Sequence, residues 1–468
     1  MSSKASIFLK ATEQKSLDGA HHQRIKQSLG QYQIAHKNGL QQFEKLALAR
    51  ERAGFIRRKS LEGLDRYLIE WESHFKRNGG KVIWTQDAQE ACDQILGILR
   101  KNKINKVVKS KSMVSEEIGL NAFLQKSHIA ALETDLGEFI QQLDHQSPFH
   151  IVNPAMHKSK EDIAELFQTK LNVAVKPIAQ DLSNTAREHL RNEYLEAGAS
   201  ITGANFLLAD IGGISITENE GNARICTALP KIHIVVTGLE KILPSVNDLY
   251  LFLPLLATFG TGQKITAANS IITGPKRRNE LDGPEEMYVV LIDNGRTELL
   301  GQVPQREALA CIKCGACMNA CPVYKGIGGH SYDTTYPGPI GAVITPFMQD
   351  YYENIHLSYA STLCGKCTEV CPVNIDLHKF ILYNRQKFMS ETQPGQADKL
   401  MWQVWKRSAM KRSFMNGGGG FKNFIVKYFF FTNWSKHRSV PKVANRSFNE
   451  QWLAERKPTK KVVSEDDE

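Results

Sequence analysis

The reading turns on two short runs, Cys311-Ile-Lys-Cys314-Gly-Ala-Cys317-Met-Asn-Ala-Cys321-Pro322 and Cys364-Gly-Lys-Cys367-Thr-Glu-Val-Cys371-Pro372. Together they hold seven of the nine cysteines in a chain of 468 residues. The first run has the form C-x2-C-x2-C-x3-C-P. At that spacing three thiolates wrap three corners of a [4Fe–4S] cube, and the fourth cysteine, turned away by its proline, serves a second cluster. Gly315 and Ala316 suit a loop that curls tightly and leaves its amides free to bond the sulfides.

Cross-ligation gives a definite assignment. Cluster one takes Cys311, Cys314, Cys317 and Cys371, and cluster two takes Cys321, Cys364 and Cys367. Cluster two is one ligand short. Aligning the second run on its C-P end puts Ser361 where a first cysteine would stand. Three readings stay open: a three-cysteine cube with water, serine or substrate on the free iron, a [3Fe–4S] centre, or a labile corner. Structural zinc also uses Cys-x2-Cys pairs, but it would not call for seven cysteines in two proline-terminated runs. Disulfides are disfavoured, since Cys92 and Cys226 are isolated and nothing suggests export.

Length points to two or three domains, and 42% apolar with 23% charged residues is the balance of a soluble globular protein. The apolar run Leu249 to Phe259 is too short to span a bilayer and is broken by Pro254. No signal peptide is expected, so a reducing cytoplasm is the expected location. The net charge is +10. It lies mainly at the two ends and comes with no recognised nucleic-acid motif, so a nucleic-acid partner is not expected.

Residues 1–80 read as helices, with Gln41–Arg50 and Leu61–Trp71 carrying apolar residues at helical spacing. The basic group Arg50, Arg52, Arg57, Arg58 and Lys59 reads as a solvated face or a docking surface. From residue 81 to about 300, strands alternate with helices: Lys81–Trp84, Asp87–Arg100, Val107-Val108, Ala130–Thr134, Phe149–Val152 and Lys160–Leu171. That alternation predicts a mostly parallel sheet covered by helices, with ligands at the carboxyl ends of its strands. Three polar loops there are rich in chemistry: Lys109–Met113 leading to Glu116-Glu117, Glu133–Glu138, and His150–Lys158. His150, His157, Lys109, Lys111 and Lys158 are the candidates for a base and for a carboxylate-binding cation.

Gly198–Asn222 reads as paired strands joined at Gly212-Gly213 and closed by a turn at Gly221. His233 lies in an apolar strand and reads as a bonded core histidine. Gly260 to Arg278 is either an anion cradle or a plain loop. Met287–Asp293 is a strand that turns at Asn294-Gly295. Residues 301–390 form the cysteine domain, in which Phe347–Ala360 reads as a helix and His330 is not expected to bind iron. Residues 391–468 are a basic, aromatic-rich extension containing a helix over Lys399–Phe414. Its Phe421–Phe431 segment suits a partner or a membrane surface, and its tail, from Lys457, reads as disordered.

Across nearly its whole length the chain resembles the iron–sulfur subunit of the bacterial L-lactate utilisation system, the lactate utilisation protein B family. The carrying residues are Gly203-Ala-Asn-Phe through Glu218-Asn-Glu-Gly-Asn222, Tyr336-Pro-Gly-Pro-Ile-Gly-Ala-Val, and Ser361-Thr-Leu-Cys-Gly-Lys-Cys-Thr-Glu-Val-Cys-Pro. The resemblance implies an α/β domain similar to sugar-phosphate isomerases and CoA transferases, then a helical two-cluster ferredoxin. It implies a part in oxidising L-lactate to pyruvate with two other subunits, one of them cysteine-rich. It carries over the seven cysteines. No G-x-G-x-x-G follows a strand, so nicotinamide binding is not supported. Two classes of function remain: an electron relay whose α/β domain is a docking scaffold, and a subunit that itself holds lactate. An electron carrier for another hydroxyacid, such as glycolate, is the alternative substrate reading.

Overall fold

The computed structural model describes residues 3–392, 395–417, 419–425, 427–428 and 442–456. They divide into two compact units, Met1–Phe388 and Met389–Glu468. Ten strands run through the first unit: β1 (Lys81–Thr85), β2 (Lys106–Lys109), β3 (Ala130–Glu133), β4 (Ala199–Thr202), β5 (Phe206–Leu208), β6 (Gly213–Glu218), β7 (Ile232–Gly238), β8 (Ile242–Leu243), β9 (Ala268–Ile272) and β10 (Glu286–Ile292).

Six of them form one sheet in the order β1-β10-β7-β4-β2-β3, and every neighbouring pair is parallel. A parallel sheet is covered on both faces, so its central strands are apolar throughout. Accordingly β7 is buried along its entire length. Its alternate residues divide between two cores. Ile234 and Val236 pack with Val290 and Ile292 under helices Ala88–Lys101 and Leu120–Lys126, while Val235 packs with Val289 and Leu291 against helix Leu64–Arg77. That last helix turns Leu64, Leu68, Trp71 and Phe75 inward at helical spacing, and the Trp71 indole N–H donates to the Gly213 carbonyl at 3.0 Å. Strands β8-β5-β6-β9 form a second sheet, in which β5 and β6 make the hairpin expected at Gly212 (φ 61°). His233 is buried with its Nε2 2.8 Å from the Thr202 hydroxyl, the bonded core histidine expected.

Several local expectations are corrected. Phe149–Val152 is not a strand: the His150 Nδ1 accepts the N–H groups of Val152 (3.0 Å) and Asn153 (3.2 Å) and takes donors a sheet partner would use. Gln41–Arg50 straddles a break between helices Gly19–Leu40 and Leu46–Glu62, and Leu61–Trp71 breaks at Gly63. Phe347–Ala360 is not one helix. The long helix is Gly338–Met348, followed by single turns at Tyr351–Asn354 and His356–Tyr359, the first capped by the Asp350 carboxylate. Gly341 is required in the long helix, because a Cβ there would fall 1.4 Å from the Tyr336 carbonyl oxygen.

The basic group of the N-terminal helices is likewise corrected at two positions. Arg57 is 1% exposed and donates to the carbonyls of Glu240, Ile242, Leu309 and Ala310, while Arg50 donates to those of Glu369 and Cys371. Arg57 is not a solvated charge, and the half-buried Arg50 turns its guanidinium to the cysteine segment. Both clamp the cysteine segment from within the same unit, and N-terminal helices, the second sheet and the cysteine segment share one apolar core.

In the second unit the expected helix over Lys399–Phe414 is two, Gln396–Met410 and Arg412–Asn416, divided at the extended residue Lys411. Trp402 and Trp405 are exposed on the first of them. Of the segment Phe421–Phe431, residues 426 and 429–431 lie outside the described residues, as does the tail 457–468. Among the described residues no helix is long and apolar enough to cross a membrane.

Candidate functional site

Cys311, Cys314, Cys317 and Cys371 line one small cavity, closed mainly by the apolar residues Ile151, Ile312, Ile340, Val373, Ile375 and Leu377. Three thiols come from the first run and one from the second. Among the described residues no three His, Cys, Asp or Glu side chains converge on a single ion position. A cube makes no such demand, since each thiolate binds a different iron and the four stand around a cavity. Burial pushes the thiols of Cys314 and Cys317 up, and that of Cys371 to about 11, so a bound metal would have to displace their protons. The donor set and its apolar walls fit an iron–sulfur cluster.

The second run repeats the first in backbone geometry. Lys313 and Gly315 have φ of 58° and 80°, and Leu363 and Gly365 have φ of 54° and 80°. Each glycine opens a short helix, Ala316–Ala320 in one run and Lys366–Glu369 in the other. Cys321 and Cys367 each feel the charge of Cys364, and Cys367 that of Cys321. Their surroundings differ from the first set. Cys364 is exposed, and the Lys366 backbone N–H holds its thiol below the usual range. Cys92 and Cys226 stand apart, and burial pushes their thiols up to about 11 and about 12.

A larger cleft of about 270 Å³ opens at the carboxyl ends of β2 and β4. Ser110–Val114 after β2, Asp135 after β3, Gly203–Asn205 after β4 and Thr217–Glu220 at the end of β6 line it. Ile312, Lys313 and Cys314 close its far side. The cleft and the four-cysteine cavity thus share Ile151, Ile312, Lys313 and Cys314 as a common wall.

Three lysines line the cleft: Lys111, Lys241 and Lys313. The Lys111 ammonium donates to the Val152 carbonyl at 2.5 Å, and that of Lys313 sits 4.0 Å above the Tyr336 ring centre. Lys241 is different. It is 8% exposed and makes no hydrogen bond or ion pair within the described residues. Burial pushes its ammonium down to about 8, against the pull of Glu240. Its amine opens into the cleft without a hydrogen-bonded partner, where an anion would pair with it. Sequence reasoning missed it because it stands between the apolar strands β7 and β8. A charged Glu240-Lys241 pair between two apolar runs was the available signal.

The cysteine segment is tied to the sheet by a buried network. Arg296 donates from both terminal nitrogens to the two oxygens of Glu117 at 2.9 Å and from Nε to Glu240 at 2.5 Å, and the Tyr336 hydroxyl donates to Glu117 at 2.7 Å. Burial alone would raise both carboxylates, but the guanidinium overrides it, holding Glu117 below its usual range and Glu240 at about 2.

Of the five candidates for base or cation, only Lys111 lines the cleft. Lys109 is wholly buried and bound to Glu116 (2.9 Å), Glu133 (2.7 Å) and the Ser115 hydroxyl (2.8 Å). Lys158 pairs with Asp144, and the His157 ring stacks on Phe149 beside His330. Burial holds the His157 imidazole down at about 3. His150, also held down at about 3 by burial, lies against the first cysteine loop: a Cβ added at Gly315 would stand 3.4 Å from its Nε2. With Nδ1 accepting two N–H groups, its proton sits on Nε2.

Two family descriptions match this chain, the LUD domain over residues 68–292 and the 4Fe-4S dicluster domain over residues 307–375. The second covers both cysteine runs. A lactate utilization protein B of Anoxybacillus flavithermus is 48% identical over 332 residues, covering 71% of this chain and 70% of that protein. The Bacillus subtilis protein of that name is 39% identical over 423 residues, 88% of each chain. The chain belongs to the lactate utilization protein B family. Like the Shouchella clausii member (40% identical over 414 residues, 86% of this chain and 87% of that protein), it shares sequence well beyond the two matched domains. A solved duf162 family protein of Deinococcus radiodurans covers 49% of this chain and 98% of its own at 14% identity, but its TM-score of 0.28 carries no argument. Family membership gives the cysteine segment its chemistry: it is a 4Fe-4S dicluster domain, and the chain is an iron–sulfur protein.

Proposed function

We propose that the chain is the iron–sulfur electron-transfer subunit of a multisubunit system that oxidises L-lactate to pyruvate and supports growth on lactate. Its α/β part is read as an isomerase/CoA-transferase-like domain over residues 81–300, preceded by the helical region 1–80. The two-cluster ferredoxin domain follows over 301–390, and the basic extension over 391–468. The partners are two further subunits, one cysteine-rich, and the setting is the reducing cytoplasm, with peripheral membrane contact through the extension. In the finer assignment Cys311, Cys314, Cys317 and Cys371 hold one cluster, and Cys321, Cys364 and Cys367 hold the other.

The observation that carries this reading is the wall shared by the cleft and the four-cysteine cavity. When bound, an iron–sulfur cluster supplies one-electron acceptance, and two such centres take the two electrons of a hydroxyacid oxidation in turn. The chain's residues do the rest. Lys241 supplies the missing charge for a carboxylate. Lys313 and Arg57, near Cys311 and Glu240, offset negative charge on the cysteine side. The exposed position of Cys364 suits the exit side, where electrons pass to a partner subunit.

This favours the subunit that holds substrate over the pure relay. The test is calorimetric titration of the anaerobic full chain with L-lactate, pyruvate and glycolate. Binding of lactate or pyruvate that is lost in Lys241→Met supports the reading. No binding of any hydroxyacid returns the α/β domain to a docking scaffold, and a clear preference for glycolate moves the substrate.

A further inference from the structure

The second cysteine run lacks one thiol but not the place for it. In the first run the Lys313 N–H donates to the sulfur of Cys311 at 3.3 Å. In the second the Leu363 N–H donates to the hydroxyl oxygen of Ser361 at 3.2 Å. The donor in each case is two residues on, and in each case it sits in the left-handed region, at 58° and 54°. Lysine and leucine both adopt a backbone that a Cβ disfavours, and the half-buried Leu363 side chain is held there by packing against the main apolar core. Strain kept at matching positions points to a shape the loop must hold. The equivalence continues through Gly315 and Gly365, both at φ 80°, and into the following helices.

The Ser361 backbone is also fixed from outside the loop. The Arg385 guanidinium donates to the Ser361 carbonyl at 2.8 Å and to the Ser358 carbonyl at 2.9 Å. The residue is only partly buried, so the hydroxyl can lose its proton to solvent on binding metal.

We infer that the Ser361 oxygen is the fourth protein ligand of the second cluster, occupying the position that Cys311 occupies in the first. A serine oxygen forms a shorter metal bond than a cysteine sulfur, by about 0.1–0.3 Å if carboxylate oxygen and thiolate sulfur at zinc are the guide. As a harder, anionic donor, the serine alkoxide favours the oxidised cluster relative to a thiolate. The inference rests on the cross-ligated cysteine assignment but not on lactate. Cys371→Ala tests that assignment separately: it fails if this change removes the second centre and leaves the first.

The experiment uses the anaerobically prepared full chain, with iron analysis and electron paramagnetic resonance. The wild type should carry about eight irons and no oxidised three-iron signal. Its reduced second centre should not broaden in water enriched with a magnetic oxygen isotope. Ser361→Ala should lose about one iron and gain the three-iron signal, or else take a solvent ligand and broaden in the enriched water. Ser361→Asn can keep the turn through its side-chain oxygen, yet should behave like the alanine variant. Ser361→Cys should keep about eight irons and raise the potential of the second centre only. Broadening already present in the wild type, a wild-type three-iron signal, or wild-type behaviour of both the alanine and asparagine variants would overturn the inference. The enriched-water measurement decides the matter even if a variant fails to fold.

Discussion

The two cysteine loops have the same backbone and opposite surroundings. The first is buried, shares a wall with the cleft, and forms an apolar cavity with one thiol borrowed from the second run. The second is open, with Cys364 exposed and Ser361 in the place of a first cysteine. Equal backbone dihedrals under unequal environments indicate that loop shape is set by the metal-binding spacing, while depth in the protein distinguishes the two jobs. A closed site beside a substrate cleft suits the entry of electrons, and an open one suits their departure.

The sharpest way to break that comparison is to exchange thiols between runs. Cys371→Ala alters the second run in sequence, yet it should abolish the first cluster: about half the iron is lost while the second centre's spectrum survives. Cys364→Ala should do the reverse. Loss of the second cluster in Cys371→Ala would mean that each run binds its own cube.

Next in size is the network holding the first loop's surroundings to the sheet. Arg296→Met leaves Glu117 and Glu240 buried without their cation and should cost about 3–5 kcal/mol in denaturant unfolding. The pH dependence has a definite sign. Glu240 is held at about 2 against an unperturbed 4.5, so its contribution is complete above the higher value and is lost as pH falls between the two. Glu117 is lowered as well and acts in the same direction. A scan from pH 6 to pH 3 should show a steeper loss of stability in the wild type than in an Arg296→Met, Glu240→Leu double variant.

Lys241→Met separates the cleft from the metal. Affinity for lactate or pyruvate should fall by about 10- to 100-fold, as for loss of a charged hydrogen bond, with iron content unchanged. With its ammonium pushed down to about 8, wild-type binding should weaken as pH rises past that value. The smallest effect concerns the loops themselves. Leu363→Gly relieves a left-handed leucine but gives up its half-buried packing on the main core and adds unfolded freedom, so stability should change by no more than roughly 1 kcal/mol. Calorimetric unfolding of the apoprotein measures it.

Much of this was legible in the sequence for definite physical reasons. The cysteine spacing required thiols from both runs at one site, and Cys311, Cys314, Cys317 and Cys371 do line one cavity. Apolar runs marked Ile232–Gly238 and Glu286–Ile292 as strands of a mostly parallel sheet, and loops at strand ends built the cleft. The remainder depended on partners far away in the chain. Lys109 looked available, yet its carboxylate partners include Glu133, at the end of a neighbouring strand. Arg57 looked like surface charge, yet it meets the carbonyls of Glu240, Ile242, Leu309 and Ala310. Lys241 was hidden because an unpartnered lysine is defined by what fails to surround it. The short apolar segment Phe149–Val152 looked like a strand until His150 bonded its own neighbours.

The central claim is that substrate meets the chain beside the first cluster and not the second. The most direct measurement is electron paramagnetic resonance of the reduced, anaerobic full chain during titration with pyruvate, in the wild type and in Cys371→Ala. The account predicts that pyruvate shifts the signal of the first centre alone and that Cys371→Ala, lacking that centre, shows no shift. A pyruvate-dependent change confined to the second centre, or none at saturating pyruvate, would contradict it.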